Sequence, residues 1–210
     1  MNDTIAIIDY GMGNLRSVQK AFEKIGVKAT ITNDKKEIQN ASKIILPGVG
    51  AFKDAMANLN ELELISILNE EVLEKKKPFL GICLGMQLVA KTSEEFGLTN
   101  GLGWIDAKIV RFPKSELKVP HVGWNDINFT KESLLFENIP NNKDFYFVHS
   151  YYFDNQDKEC VIATCKYGID FTCSIQKENI FSTQFHPEKS QTYGLQILKN
   201  FASLKKDTFC

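Results

Sequence analysis

Lys77-Pro78-Phe79-Leu80-Gly81-Ile82-Cys83-Leu84-Gly85-Met86-Gln87 is the stretch that decides how this chain is read. A short apolar run ends in a cysteine held between two glycines, and a helix-forming segment follows at once. That is the strand–turn–helix layout of a nucleophile elbow, with cysteine in the place serine more commonly takes. Small neighbours let the backbone bend tightly there. The side chain at the bend points away from the sheet, and a helix N-terminus beside a sulfur favours the thiolate. The plainer alternative for a lone Gly-x-Cys-x-Gly is a buried structural cysteine, so the surrounding text has to decide.

Upstream, Thr4-Ile5-Ala6-Ile7-Ile8-Asp9-Tyr10 is a continuous apolar run, as in parallel strands buried on both faces. Asn14 is placed to cap a helix in which Leu15, Val18, Phe22 and Ile25 recur at helical spacing, and Gly26 ends it. Lys28–Ile31 reads as a second strand, Asp34 as the cap of a weaker helix, and Lys43–Leu46 as a third strand closed by Pro47-Gly48-Val49-Gly50. Residues 51–75 read as helical with a break near Asn60. Alternating strands and helices predict right-handed crossovers and a parallel sheet covered on both faces.

Downstream of about residue 104 the texture changes. Val110–Phe112, Asp126–Phe129, Asp144–Val148, Cys160–Cys165, Phe171–Ile175 and Ile180–Gln184 are short strand-like pieces. They predict antiparallel strands added to the sheet, before a closing helix from Glu188 to Phe201. No repeat, low-complexity segment or linker interrupts the chain, and 210 residues are enough for one domain with a substantial core. The expected fold class is therefore α/β, a single domain over residues 1–210, with a mixed, mostly parallel central sheet.

Composition excludes several functions. With 25 basic and 26 acidic residues the net charge is −1, so no global field draws the chain to nucleic acid or anionic membrane. No apolar run approaches the roughly 20 residues of a membrane span, and the N-terminus lacks signal-peptide character. The odd set Cys83, Cys160, Cys165, Cys173 and Cys210 fits neither a disulfide framework nor zinc spacing. Reduced thiols in a cytoplasmic protein are expected: Cys160, Cys165 and Cys173 as core or strand residues, Cys210 on a frayed tail. Gly11-Met12-Gly13-Asn14 opens a helix after a strand, but Arg16 stands where the third glycine of a dinucleotide fingerprint belongs, so no nucleotide cofactor is expected.

A cysteine nucleophile needs a base, and the base needs an orienting partner. The chain offers three histidines. His186 follows the apolar strand Ile180–Phe185 and precedes Pro187-Glu188, so a carboxylate two residues away can hold one ring nitrogen while the other faces the thiol. The alternative is a histidine at a strand end with Glu188 serving a helix N-terminus. His149, in Tyr146-Phe147-Val148-His149-Ser150-Tyr151-Tyr152, is a second candidate that strand alternation can equally turn into the core. His121, in loop-like Pro120-His121-Val122-Gly123-Trp124-Asn125, is a third. Neither has a carboxylate two or three residues away. Oxyanion donors are expected from the Leu84 N–H and from the Pro47–Gly50 loop.

Taken together these pieces resemble the class I glutamine amidotransferases of the Cys–His–Glu type. Gly81–Gln87 paired with Phe185-His186-Pro187-Glu188 carries the resemblance. Within that family, the glutaminase subunits of imidazole glycerol phosphate synthases are similar at Asp9–Ser17, Leu46–Phe52, Pro120–Asn125, Phe147–Tyr151 and His186–Ser190. The resemblance implies a flavodoxin-like α/β domain. It implies Cys83 as nucleophile, His186 as general base and acid, and Glu188 as its orienter. Val49 and Leu84 would supply oxyanion amides. Gly50, Gln87, Ser150 and Tyr151 would hold glutamine, and Asn14, Tyr146 and Lys189 would lie toward a partner. That partner would be a (β/α)8-barrel cyclase subunit receiving ammonia, with no cofactor or metal in this chain. The resemblance also implies that the Val49 peptide turns before its N–H faces the oxyanion, leaving the resting enzyme a poor glutaminase.

The same catalytic residues would serve a paralogous cyclase-like partner in bacterial surface-sugar amidination. A stand-alone cysteine hydrolase or peptidase shares the elbow, and a non-catalytic interaction module shares the fold. The Pro120–Asn125 loop and the Pro187–Ser190 turn separate these readings, because they suit a docking face more than a peptide groove.

Overall fold

A computed structural model of the chain describes residues 4–113, 117–155, 158–205 and 209. The first half alternates as expected: β1 (Ile5–Ile8), α1 (Leu15–Lys24), β2 (Ala29–Thr32), α2 (Lys35–Asn40), β3 (Lys43–Gly48), α3 (Phe52–Glu61), α4 (Leu64–Asn69) and β4 (Phe79–Cys83). The second half begins with the short α5 (Leu84–Leu88), β5 (Ala90–Ser93), β6 (Thr99–Asn100) and β7 (Ile105–Arg111). Then come β8 (His121–Phe129), β9 (Lys143–His149), β10 (Tyr151–Asn155), β11 (Val161–Tyr167), β12 (Ile169–Lys177), β13 (Ile180–Thr183) and α6 (Gln191–Ser203).

Strands β2-β1-β3-β4-β13 form a parallel block, and β12 joins it antiparallel through β13. The sheet then branches at β12: one arm continues through β10, β7, β5 and β6, the other through β11, β8 and β9. β1, β3 and β4 are buried on both faces because they are mostly apolar, whereas the edge strand β2 is half-buried and carries Thr30 and Thr32. Ile5 and Ile7 turn to one core with Phe22, Leu80 and Phe201, while Ala6 and Ile8 turn to the other with Ile38, Phe52 and Leu68. Each buried Ile, Leu or Phe side chain among these contributes roughly 1.5–3 kcal/mol. α1 and α6 cover the first face; α2, α3 and α4 cover the second.

Local signals hold where local chemistry controls them. Asp34 Oδ1 accepts from Lys36 N at 2.8 Å and from Glu37 N at 3.0 Å, capping α2. Gly26 follows α1 at φ 77°, in the left-handed region glycine tolerates. The break expected near Asn60 occurs at Leu62–Glu63, where Glu63 adopts φ 51°.

Other expectations are corrected. Asn14 occupies the α1 cap position, yet its side chain makes no capping bond. Pro120–Asn125 is not a loop: His121–Asn125 begins β8 and pairs with β9, from His121↔His149 to Asn125↔Phe145. The strand expected around Val110 begins earlier, at Ile105, and the aromatic run around His149 is two strands broken at Ser150. The closing helix starts at Gln191, after a 3-10 turn over Pro187–Lys189. Cys160 sits in a 3-10 turn, while Cys165 and Cys173 are buried strand residues; none of the three is in a disulfide. Cys210 lies outside the described residues. No helix among the described residues is long and apolar enough to cross a membrane.

Candidate active site

The parallel block positions the site. The turns after β1, β3 and β4 and the chain after β13 all leave the sheet at the same edge, where open α/β sheets place their chemistry. β4 and β13 are direct neighbours with Ile82 opposite Thr183, so Cys83 and His186 arrive side by side despite their separation in sequence. Gly48 stands opposite Cys83 on the other flank, so the next residues, Val49 and Gly50, leave β3 at the strand end that carries Cys83.

Cys83 adopts φ 55° and ψ −108°, a conformation non-glycine residues rarely take. The surrounding glycines make that bend possible. A Cβ on Gly85 would lie 1.7 Å from the Leu46 carbonyl oxygen, and one on Gly81 would lie 2.7 Å from the Gly85 oxygen. α5 therefore sits directly against β3 and β4. Leu84, its first residue, has an N–H with no acceptor inside the helix.

His186 is 2% exposed and Cys83 6%, so the reacting groups are almost covered. His186 Nδ1 donates to Glu188 Oε1 at 2.8 Å, and its Nε2 has no complete hydrogen bond. Burial disfavours the imidazolium, but the neighbouring Cys83 sulfur and the Glu188 carboxylate outweigh it, and the His186 pKa is raised to about 10. The arrangement is an ion-pair-ready thiol and imidazole with the second ring nitrogen anchored by a buried carboxylate.

His149 and His121, the other two histidines, do not serve the sulfur. They bond to each other instead, Nε2 of His149 lying 3.0 Å from Nδ1 of His121. Gln87 reaches across the floor, donating through Nε2 to the Tyr151 carbonyl at 3.1 Å and to Gln184 Oε1 at 3.0 Å. Ser150 and Tyr151 form the β9–β10 corner facing it. Gly50 has φ 108° at the tip of the loop after β3. Tyr146 and Lys189 meet at the rim, with the Lys189 ammonium 5.6 Å from the ring centroid, and Asn14 is exposed nearby on the turn after β1.

The description "Glutamine amidotransferase class-I" matches residues 6–204 of this sequence. The chain belongs to the class-I glutamine amidotransferases. The amidotransferase is 53% identical over 201 residues to "Imidazole glycerol phosphate synthase subunit HisH 1" of Campylobacter jejuni, covering 95% of this chain and 100% of that protein. It is 51% identical over 207 residues to the HisH subunit of Geobacter sulfurreducens, covering 96% and 99%. Its fold also matches "Structure of PurLQS from Thermotoga maritima" at TM-score 0.74 and 17% identity, over 96% and 98% of the two chains. A structure titled "Crystal structure of glutamine amidotransferase" matches at TM-score 0.72 and 18% identity, over 95% and 99%.

Two residues of the amidotransferase site escaped the sequence reading. Gln184 Nε2 lies 3.7 Å from Cys83 Sγ; it stands two residues before His186, so strand alternation alone could have put both on one side. Tyr10 is fully buried with an unpartnered hydroxyl close to Gly48, and burial together with Cys83 pushes its pKa above the ordinary phenol range. Nothing in Asp9-Tyr10-Gly11 announces that placement.

Proposed function

We propose that this chain is the glutaminase subunit of an imidazole glycerol phosphate synthase. It releases ammonia from L-glutamine and passes it to a (β/α)8-barrel cyclase subunit in histidine biosynthesis. The observation that carries the chemistry is the meeting of the Cys83 elbow with the His186–Glu188 pair on adjoining strand ends. The relatives' shared subunit name supports the pathway over surface-sugar amidination.

In this reading the Cys83 thiolate attacks the side-chain amide carbon of glutamine. His186 gives a proton from Nε2 to the departing nitrogen, and ammonia leaves a glutamyl thioester. His186 then takes a proton from water, which attacks the thioester and frees glutamate and the thiolate. Glu188 holds the imidazole through both steps. The N–H groups of Leu84 and Val49 serve the tetrahedral oxyanion. Gly50, Gln87, Ser150 and Tyr151 bind glutamine, and Asn14, Tyr146 and Lys189 face the cyclase. The burial of Cys83 and His186 supports a resting state that admits glutamine poorly until the partner docks.

The test is Cys83→Ala assayed with the cyclase subunit. Glutamine-driven synthesis disappears, while synthesis driven by added ammonium salts continues. Equal loss of both activities sinks the reading, and so does strong unstimulated peptide cleavage by the wild-type chain alone.

A further inference from the structure

Two histidines remain that the thioester chemistry does not use, and both are buried. We infer that His121 and His149 form a positioning relay that ties Asn125 on β8 to the Tyr151 carbonyl and so sets the glutamine-binding wall beside Cys83. The inference rests on the glutaminase reading above and adds two residues to its binding machinery.

The direction of the relay follows from one acceptor. His149 Nδ1 lies 2.8 Å from the Tyr151 carbonyl oxygen, which can only accept, so Nδ1 carries the proton. In a neutral ring Nε2 is then bare, and it must accept from His121 Nδ1 at 3.0 Å. His121 Nε2 is bare in turn and accepts from Asn125 Nδ2 at 3.3 Å. The Asn125 orientation is pinned independently: Nδ2 also donates to the Lys166 carbonyl at 3.0 Å, and Oδ1 accepts from Asp126 N at 3.0 Å. Every proton in the series has one place.

The surroundings keep both rings neutral and immobile. His121 is stacked between Phe147, at 4.8 Å, and Tyr167, at 3.9 Å. His149 sits against Phe112 and Phe171, each at 5.2 Å. Burial lowers the His121 pKa to about 4. Burial, with the nearby His121 and His186, lowers that of His149 to about 3 against the opposing bond to Tyr151. Such a pair in a largely apolar box has a purpose beyond packing, because a phenylalanine would fill the same space with no polar group to satisfy.

At its inner end the relay reaches the chemistry. The Tyr151 carbonyl also accepts from Gln87, Gln87 donates to Gln184, and Gln184 Nε2 points at the Cys83 sulfur. At its outer end, Asn125 is next to Trp124, an exposed aromatic on the outward side of β8. From Asn125 to the Cys83 sulfur the series runs through five side chains and one carbonyl.

The test has two arms. In the ¹⁵N-labelled wild-type chain at neutral pH, long-range ¹H–¹⁵N spectra place the proton of both imidazoles on Nδ1, the less common tautomer in water. Either ring found as the Nε2–H tautomer overturns the relay. In kinetic assays with the cyclase subunit, His121→Phe keeps the stacking, loses the donor, and raises the glutamine KM by about ten-fold with smaller change in kcat. His121→Asn restores a donor near the Nδ1 position and returns the KM to within about three-fold of wild type. An unchanged KM in the phenylalanine variant, or equal damage in both, overturns the inference. If the wild-type chain with its cyclase releases no glutamate from glutamine, the functional reading fails instead. The tautomers then judge the relay alone.

Discussion

His186 Nδ1 donates to Glu188 Oε1 at 2.8 Å across a turn of two residues, and the side chains of both are almost fully buried. Pro187 between them limits the backbone, and the Ser190 hydroxyl donates to the His186 carbonyl at 2.6 Å while accepting from Tyr146 N at 3.0 Å. The turn thus fixes both the imidazole and its approach to Cys83. The Glu188 Oε2 atom stays unpartnered, so a single bond does the orienting.

Replacing Glu188 by Gln leaves a neutral acceptor in place of a carboxylate. Glutamine turnover falls about 10- to 100-fold, the worth of one charge-assisted hydrogen bond. His186→Asn removes the proton carrier and costs about 10²- to 10⁴-fold. Glutamate release in the presence of the cyclase subunit measures both, and the reverse ranking refutes these roles.

The His186 imidazole titrates near pH 10 in the wild-type chain, and Cys83→Ala moves it down toward 6.5 by removing the neighbouring sulfur. Folding raises this pKa, so its stabilisation is complete below pH 6.5, declines above it, and is gone beyond about pH 10. Imidazole NMR titration of both chains checks the shift; the same midpoint in each contradicts it.

Gly85→Ala forces a methyl group into the Leu46 carbonyl. α5 has to lift from β3, and stability falls by about 3 kcal/mol or more. Urea unfolding gives the value, and a loss under 1 kcal/mol (about the effect of helix propensity with opposite sign) is incompatible with the packing described.

Glu71 is buried between Lys77 and Lys75, with both contacts at 2.7 Å. Burial opposes its charge, but the two ammonium groups prevail and hold its pKa below 4.5. Glu71→Ala removes this counter-charge from the buried Lys77 ammonium, which still donates to the Ile38 and Gln39 carbonyls at 2.9 and 3.0 Å, and costs about 3 kcal/mol. The wild-type contribution is present above pH 4.5 and is lost as pH falls through the depressed value. Denaturation at pH 7 and pH 3 tests this: the gap between variant and wild type narrows in acid.

Trp124 is 47% exposed and stands edge-on to Tyr146 at 6.1 Å, forming an aromatic face beside the site. Trp124→Ala weakens binding of the cyclase subunit by about 30-fold or more, with thermal stability little changed. Calorimetric titration measures the Kd, and an unaltered Kd removes Trp124 from the interface.

Much of this was legible in one dimension. The apolar runs of β1, β3 and β4, the Asp34 cap and the bend at Cys83 depend on residues close in sequence, whose conformational preferences act without help from the rest of the fold. The His186–Glu188 pair was legible for the same reason, since two residues span it. Pro120–Asn125 was misread because its glycine, proline and polar residues look like a turn. Pairing with all of the adjacent β9 residues overrode that composition.

By itself, the order of residues determined the alternating elements of the first half, the elbow and which side chains could act as nucleophile, base and orienter, because strand period and turn chemistry are short-range. Only the tertiary structure decided which histidine meets the sulfur, that Gln184 and Tyr10 crowd it, and that His121 and His149 bond to each other. Those choices follow from β13 lying beside β4 and β9 lying beside β8, and strand adjacency is a long-range property with no local signature.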